Sequence, residues 1–144
     1  MFKNILIATD GSDLAEKAVQ LGLSLAKDMH AKSTVVRATP LPKVFVADGV
    51  AMPPPVQVHD ELVGEVKQQF ARIEAQAQKA GIDCVSVHVD QDLPWRAILD
   101  TAEKRRCDLI VMASHGRSGF TAAFLGSETQ NVLAKATIPV LVCR

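Results

Sequence analysis

Neither sign of charge dominates this chain: 16 lysines and arginines face 16 acidic residues. That balance argues against a strongly basic surface of the kind that attracts duplex DNA or anionic lipid, and leaves room only for a local patch. Neither nucleic acid nor a membrane is therefore an expected partner. Cysteine is sparse. Cys84, Cys107 and Cys143 are scattered, odd in number and without C-x-x-C spacing. They read as reduced thiols of a cytoplasmic protein and offer no structural zinc site. No apolar run approaches the length of a membrane span. The short run between Asn4 and Asp10 is also too brief for a secretory leader, so none is expected. Neither a P-loop lysine motif nor a G-x-G-x-x-G fingerprint occurs, which disfavours energy-coupled ATPases and NAD enzymes.

What is present is an alternation of apolar strand-like runs with helical patterns over residues 1–144, read as one domain without repeats. Ile5-Leu6-Ile7-Ala8 reads as a buried first strand that ends at Thr9-Asp10-Gly11. Leu14, Ala18, Leu21, Leu25 and Met29 then recur at helical spacing, and Asp13 with Glu16 reads as a capping box. Thr34-Val35-Val36 is the second strand. From Thr39 to Val58 periodicity vanishes among Pro40, Pro42, Asp48-Gly49 and Pro53-Pro54-Pro55, so a long loop is expected. His59-Asp60 reads as the start of a helix that stops at Gly81. A third strand, Val85-Val87-Val89, is expected to be buried more on one face, with His88 exposed on the other. Pro94 opens a third helix, Leu109-Met112 is a central strand, and Ser127 with Gln130 resembles a capping box for the last helix. Ile138-Pro139-Val140-Leu141-Val142 is the fifth strand. The order β-α-β-α-β-α-β-α-β predicts a doubly wound α/β domain, Rossmann-like, with a parallel sheet and helices on both faces.

In such sheets ligands bind beyond the carboxyl ends of the strands, which directs attention to Asp10, the segment after Val36 and the loop after Met112. That loop is the informative stretch. It carries Gly116 and Gly126 separated by nine residues, and then Ser127. The glycines let it fold back, so that N–H groups of both ends converge at a helix N-terminus, where free donors and aligned peptide dipoles attract anions. A phosphate would be held there without any lysine. The bland alternative is a glycine-rich connector. An acid such as Asp10 at a strand's end accepts from a ribose hydroxyl or helps to hold Mg²⁺, unless it is merely a solvated turn residue. Ser114 and His115 are adjacent, and neighbours in an extended segment point apart, so no nucleophile–base pair is expected from them. His30 reads as a last-turn residue that favours the helix dipole.

At these residues the chain resembles the universal stress protein family. Members that bind ATP carry G-x-x-G, nine residues, then G-S or G-T, and here the run is Ala113-Ser114-His115-Gly116, nine residues, Gly126-Ser127. The opening Ile5-Leu6-Ile7-Ala8-Thr9-Asp10-Gly11-Ser12 and the closing Ile138-Pro139-Val140-Leu141-Val142 resemble the family's first and last strands. The resemblance implies a five-stranded sheet of order 3-2-1-4-5 and a bound adenine nucleotide, ATP or AMP, with Mg²⁺ accompanying it. It sets Asp10 beside the nucleoside, the backbone of Ala38 against the base, Met112 and Ala113 along the floor, and Gly116, Gly126, Ser127 and Thr129 at the phosphates. Two departures stand out. Ala113 replaces the first motif glycine, adding a methyl and disfavouring a positive φ. Glu128 puts a carboxylate in the first turn of the last helix, where it suits the dipole and repels a polyphosphate, with Arg117 as the opposing charge.

Three functions stay open on the residues. The first is a nucleotide-binding regulatory stress-response protein. The second is a dimeric interaction module of the same family that binds no nucleotide, and the third is a slow nucleotide hydrolase. A homodimer is expected in each case through the apolar edge strand Val140-Leu141-Val142, which the resemblance pairs across a two-fold axis.

Overall fold

The computed structural model describes residues 1–52, 56–117 and 124–144. Parallel strands β1 (Asn4–Ala8), β2 (Lys32–Thr39), β5 (Cys84–Asp90), β6 (Leu109–Ala113) and β7 (Val140–Cys143) form one sheet in the order β5-β2-β1-β6-β7. Counted along the five parallel strands alone, this is the order 3-2-1-4-5. Helices α1 (Asp13–Met29), α2 (Val56–Lys79), α3 (Pro94–Lys104) and α4 (Ser127–Lys135) connect them. Strand β1 shows why both faces need helices. Its side chains alternate, so Ile5 and Ile7 enter one apolar cluster with Val19, Phe70 and Ile73, while Leu6 and Ala8 enter another with Ile98, Met112 and Val132. Full burial of each such aliphatic side chain contributes about 1.5–3 kcal/mol.

Several sequence expectations are corrected. The stretch Thr39 to Val58 is not an unstructured loop, because β3 (Phe45–Ala47) and β4 (Val50–Met52) pair antiparallel within it. Asp48 and Gly49, at φ 51 and 78, supply the two left-handed residues of a tight hairpin turn. The triple proline 53–55 lies outside the described residues. Helix α2 begins at Val56, ahead of His59. Strand β2 runs well past Thr34–Val36 in both directions, pairing with β1 on one side and β5 on the other.

The caps also differ. Ser12, not Asp13, caps α1, its hydroxyl accepting from the Ala15 N–H at 3.2 Å. His30 leaves the helix as its left-handed C-cap, at φ 52. Gly126 is the N-cap of α4 with Ser127 one place inside, and the Gln130 amide donates to the Leu125 carbonyl, so the expected capping box is absent there. Edge strand β5 is not buried on one face as expected, since Val85 is exposed while Val87 and Val89 pack on the core. His88 is half-buried, with Nε2 2.7 Å from the Thr39 hydroxyl. Pro94 does open α3, and Gly81 lies just past α2 at φ 74. Among the described residues no helix is long and apolar enough to cross a membrane.

Candidate functional site

The sheet reverses direction of construction at β1, which has β2 on one side and β6 on the other. The connections leave from opposite faces there and open a crevice beyond the carboxyl ends of the strands. A cavity of about 330 Å³ occupies it. Asp10 follows β1, Ala38 lies near the end of β2, and Met112 and Ala113 close β6. Gly116, Arg117, Gly126, Ser127 and Thr129 come from the loop and the first turn of α4. All nine line the one cavity. Pro94 and Ile98 of α3 form a wall that sequence reading missed. The helical stripe of α3 was visible, but not the edge of it that reaches the crevice.

The two ends of the glycine loop meet. The Gly126 N–H donates to the Ser114 carbonyl at 2.7 Å. A β-carbon on Gly126 would sit 3.2 Å from the His115 Cα, so the close approach that this glycine permits is to the loop's own backbone. Thr129, buried, donates its hydroxyl to the Ala113 carbonyl at 2.9 Å and ties α4 to the end of β6. The first N–H groups of α4 have no intrahelical acceptor, and they belong to residues on the cavity wall. Residues 118–123 of this loop lie outside the described residues. Ala113 keeps a strand conformation, with no positive φ.

Asp10 joins the loop to the turn after β1. Its Oδ1 accepts the Ser12 N–H and its Oδ2 the Arg117 N–H, each at 2.9 Å. Burial pushes the Asp10 carboxyl up, but the hydrogen bonds from Ser12 and Arg117 and the Arg117 charge outweigh it and hold the carboxyl below its ordinary value. A β-carbon on Gly116 would collide with Asp10 Oδ2, so any larger residue there would have to displace that carboxylate.

The cations are engaged. Arg117 Nη2 donates to Glu65 Oε1 at 2.8 Å, and Arg37 Nη2 donates to the same oxygen at 3.0 Å. Arg37 is only 3% exposed; its Nη1 donates to Gln69 Oε1, and the Gln69 amide donates to the Thr9 hydroxyl. The hydrogen bonds from Arg37 and Arg117 hold the Glu65 carboxyl below its ordinary value. Glu128 Oε2 accepts the Trp95 N–H at 2.7 Å, so its carboxylate caps the start of α3 instead of turning to water. The Trp95 ring carries Lys135 Nζ at 4.9 Å from its centroid, a second tie between α3 and α4.

One expectation about side-chain direction is overturned. A bend at Ser114 and His115 brings the Ser114 hydroxyl within 3.1 Å of His115 Nδ1. Ser114 is 4% exposed and does not line the cavity, whereas His115 does. The pair orients the imidazole and does not present a nucleophile.

The sequence model of the universal stress protein family matches residues 1–144. The chain belongs to that family. It is 34% identical over 146 residues to the Thermus aquaticus universal stress protein of the QAH/OAS sulfhydrylase 3′ region, covering 100% of both chains. It is 30% identical over 150 residues to YxiE of Bacillus subtilis, again covering 100% of both. Among solved structures, UspA from Lactobacillus plantarum superposes with a TM-score of 0.81 at 23% identity, covering 99% of this universal stress protein and 97% of that one. A universal stress protein in complex with cAMP gives 0.73 at 23% identity, with 99% and 97% covered. The Archaeoglobus fulgidus protein in complex with dAMP gives 0.67 at 21% identity, with 99% and 98% covered. These superpositions establish the five-stranded Rossmann-like fold.

Proposed function

We propose that this universal stress protein is an adenine-nucleotide-binding regulatory protein of the stress response. In this reading ATP or AMP is held by the Gly116–Ser127 loop and Asp10, in the cytoplasm, as a homodimer through β7. The observation that carries it is the closure of the loop by the Gly126–Ser114 hydrogen bond, which sets the N-terminus of α4 on the wall of a cavity large enough for a small ligand. Two structural neighbours bound to cAMP and dAMP support the ligand class. In this arrangement the Ala38 backbone faces the base and Asp10 the ribose. Met112 and Ala113 form the floor, and the phosphate lies among Gly116, Gly126, Ser127 and Thr129, received by the free N–H groups of the first turn of α4. Arg117 is the nearest cation. Mg²⁺ enters as a ligand of the nucleotide's own phosphates. Among the described residues no three metal-ligating side chains cluster, and both Asp10 oxygens already accept N–H groups.

The site is read as one of binding, whose occupancy shifts a conformational or oligomeric equilibrium, and not as a centre of turnover. The test is nucleotide content of the freshly purified protein, followed by calorimetric titration of the emptied protein and of Gly126→Asp with AMP and ATP. Stoichiometric adenine nucleotide in the wild type, lost in the folded variant, is the expected result. An empty wild type that binds neither nucleotide would instead favour the interaction module, for which the exposed β7 edge is the supporting observation.

A further inference from the structure

The charges around the cavity are unbalanced. Asp10 and Glu128 line it, and Arg117 is the only lysine or arginine among its described lining residues. Arg117 is itself paired with Glu65. Glu65 is held in turn by Arg37, whose guanidinium is buried and fixed by Gln69. The carboxylate therefore cannot simply follow Arg117 if that side chain swings toward a ligand. Glu128 is equally fixed, because its oxygen accepts the Trp95 N–H and its carboxylate stays in the first turn of α4. The helix end that would receive a phosphate thus carries a pinned negative charge, and the nearest cation is held away at Glu65, a carboxylate it shares with Arg37.

Resting on the nucleotide reading above, we propose that this site selects adenine nucleotides carrying a single phosphate over metal-free triphosphates, and that Glu65 and Glu128 set the selectivity. A first phosphate meets the free N–H donors of the first turn of α4. Further phosphates extend toward Glu128 and find in Arg117 a cation already paired. Neutralising either carboxylate removes repulsion that grows with each added phosphate, while the N–H donors stay in place. Glutamine at 65 keeps an acceptor for both guanidinium groups and releases the Arg117 charge. At 128 it keeps an acceptor for the Trp95 N–H.

The experiment is calorimetric titration of AMP, and of ATP in a chelator, into wild type, Glu65→Gln and Glu128→Gln, with thermal denaturation to verify folding. Wild type is expected to bind AMP more tightly than metal-free ATP. Each variant is expected to raise the ratio of ATP to AMP affinity by about two- to fivefold, the scale of a partly exposed charge pair. Added salt should compress the wild-type preference. Because Glu65→Gln leaves Arg37 buried without its anion, Glu128→Gln provides the test should that variant misfold. Wild type binding metal-free ATP as tightly as AMP, or a ratio unmoved in the folded variants, overturns the selectivity while the nucleotide reading stands. Wild type binding neither nucleotide overturns both.

Discussion

Asp10 Oδ2 accepts the Arg117 N–H at 2.9 Å, which joins the turn after β1 directly to the segment after β6. The hydrogen bonds that make this tie also lower the Asp10 pKa below its unfolded value, against the burial that raises it. The sign of the linkage follows. Near pH 4 the unfolded chain binds more protons at this carboxyl than the native one, so its stabilising contribution is complete above the unfolded pKa. That contribution is lost as pH falls through the folded pKa. Asp10→Asn removes the titration and weakens one of the two N–H contacts, at a cost of about 1 kcal/mol near neutrality. Urea denaturation across a pH series is expected to show the wild-type advantage shrinking as pH drops below about 4. A constant difference down to pH 3 would contradict the assignment.

Gly22 and Gly64 are both helical glycines, and the structure predicts opposite signs for their replacement. A β-carbon on Gly22 of α1 would lie 2.6 Å from Ile7 Cδ1 and Cγ1, and Ile7 is fully buried in the sheet. Gly22→Ala is expected to cost about 1–3 kcal/mol through overpacking. That outweighs the gain of about 1 kcal/mol from better helix propensity. Gly64 in α2 has nothing within 4 Å of the added carbon, so Gly64→Ala should gain up to about 1 kcal/mol. Melting temperatures that move in the same direction for both would refute the packing at Gly22.

The Glu128 cap on α3 makes a third prediction, separate from any ligand. Glu128→Ala leaves the Trp95 N–H without its acceptor and is expected to destabilise the protein by about 1 kcal/mol. Glu128→Gln retains an acceptor and should lose less. Chemical denaturation of the two variants in parallel separates the cap from a general effect of charge, because a pure charge effect would give equal losses.

Where the sequence was informative, a single local signal sufficed. The runs Ile5–Ala8 and Leu109–Met112 are apolar throughout because helices cover both faces, and both strands were legible. So was the loop, since Gly116 and Gly126 mark two backbone approaches, one against Asp10 and one against His115. Strand β2 was read too short because Arg37 and Thr39 look like surface residues. They are buried, with partners on α2 and β5 from 28 to 51 positions away. The hairpin was missed among prolines, although Asp48-Gly49 between Phe45-Val46 and Val50-Ala51 is itself a turn signal. Glu65 went unnoticed for a different reason. Nothing in an exposed acid on a helix announces that two arginines from distant strand ends converge on it.

The last prediction concerns β7, which pairs only with β6 and leaves its other edge without a neighbour among the described residues. Bare edges usually carry charge, proline or a bulge that blocks further pairing. Along Val140–Cys143 there is neither charge nor proline, and Leu141 is 37% exposed. The opposite edge, β5, ends in His88 and Asp90, held to Thr39, so β7 is the edge better suited to a second copy. Antiparallel pairing of two β7 strands would complete their ladders and bring the apolar side chains of both copies together. Sedimentation at micromolar concentration is expected to give the mass of two chains for the wild type. Leu141→Lys should shift it toward one chain, because it places two like charges in close register across the symmetric pair. A native-like melting curve for that variant would exclude misfolding as the cause. A wild-type mass of one chain would contradict the edge pairing and leave the β7 surface without the role assigned to it.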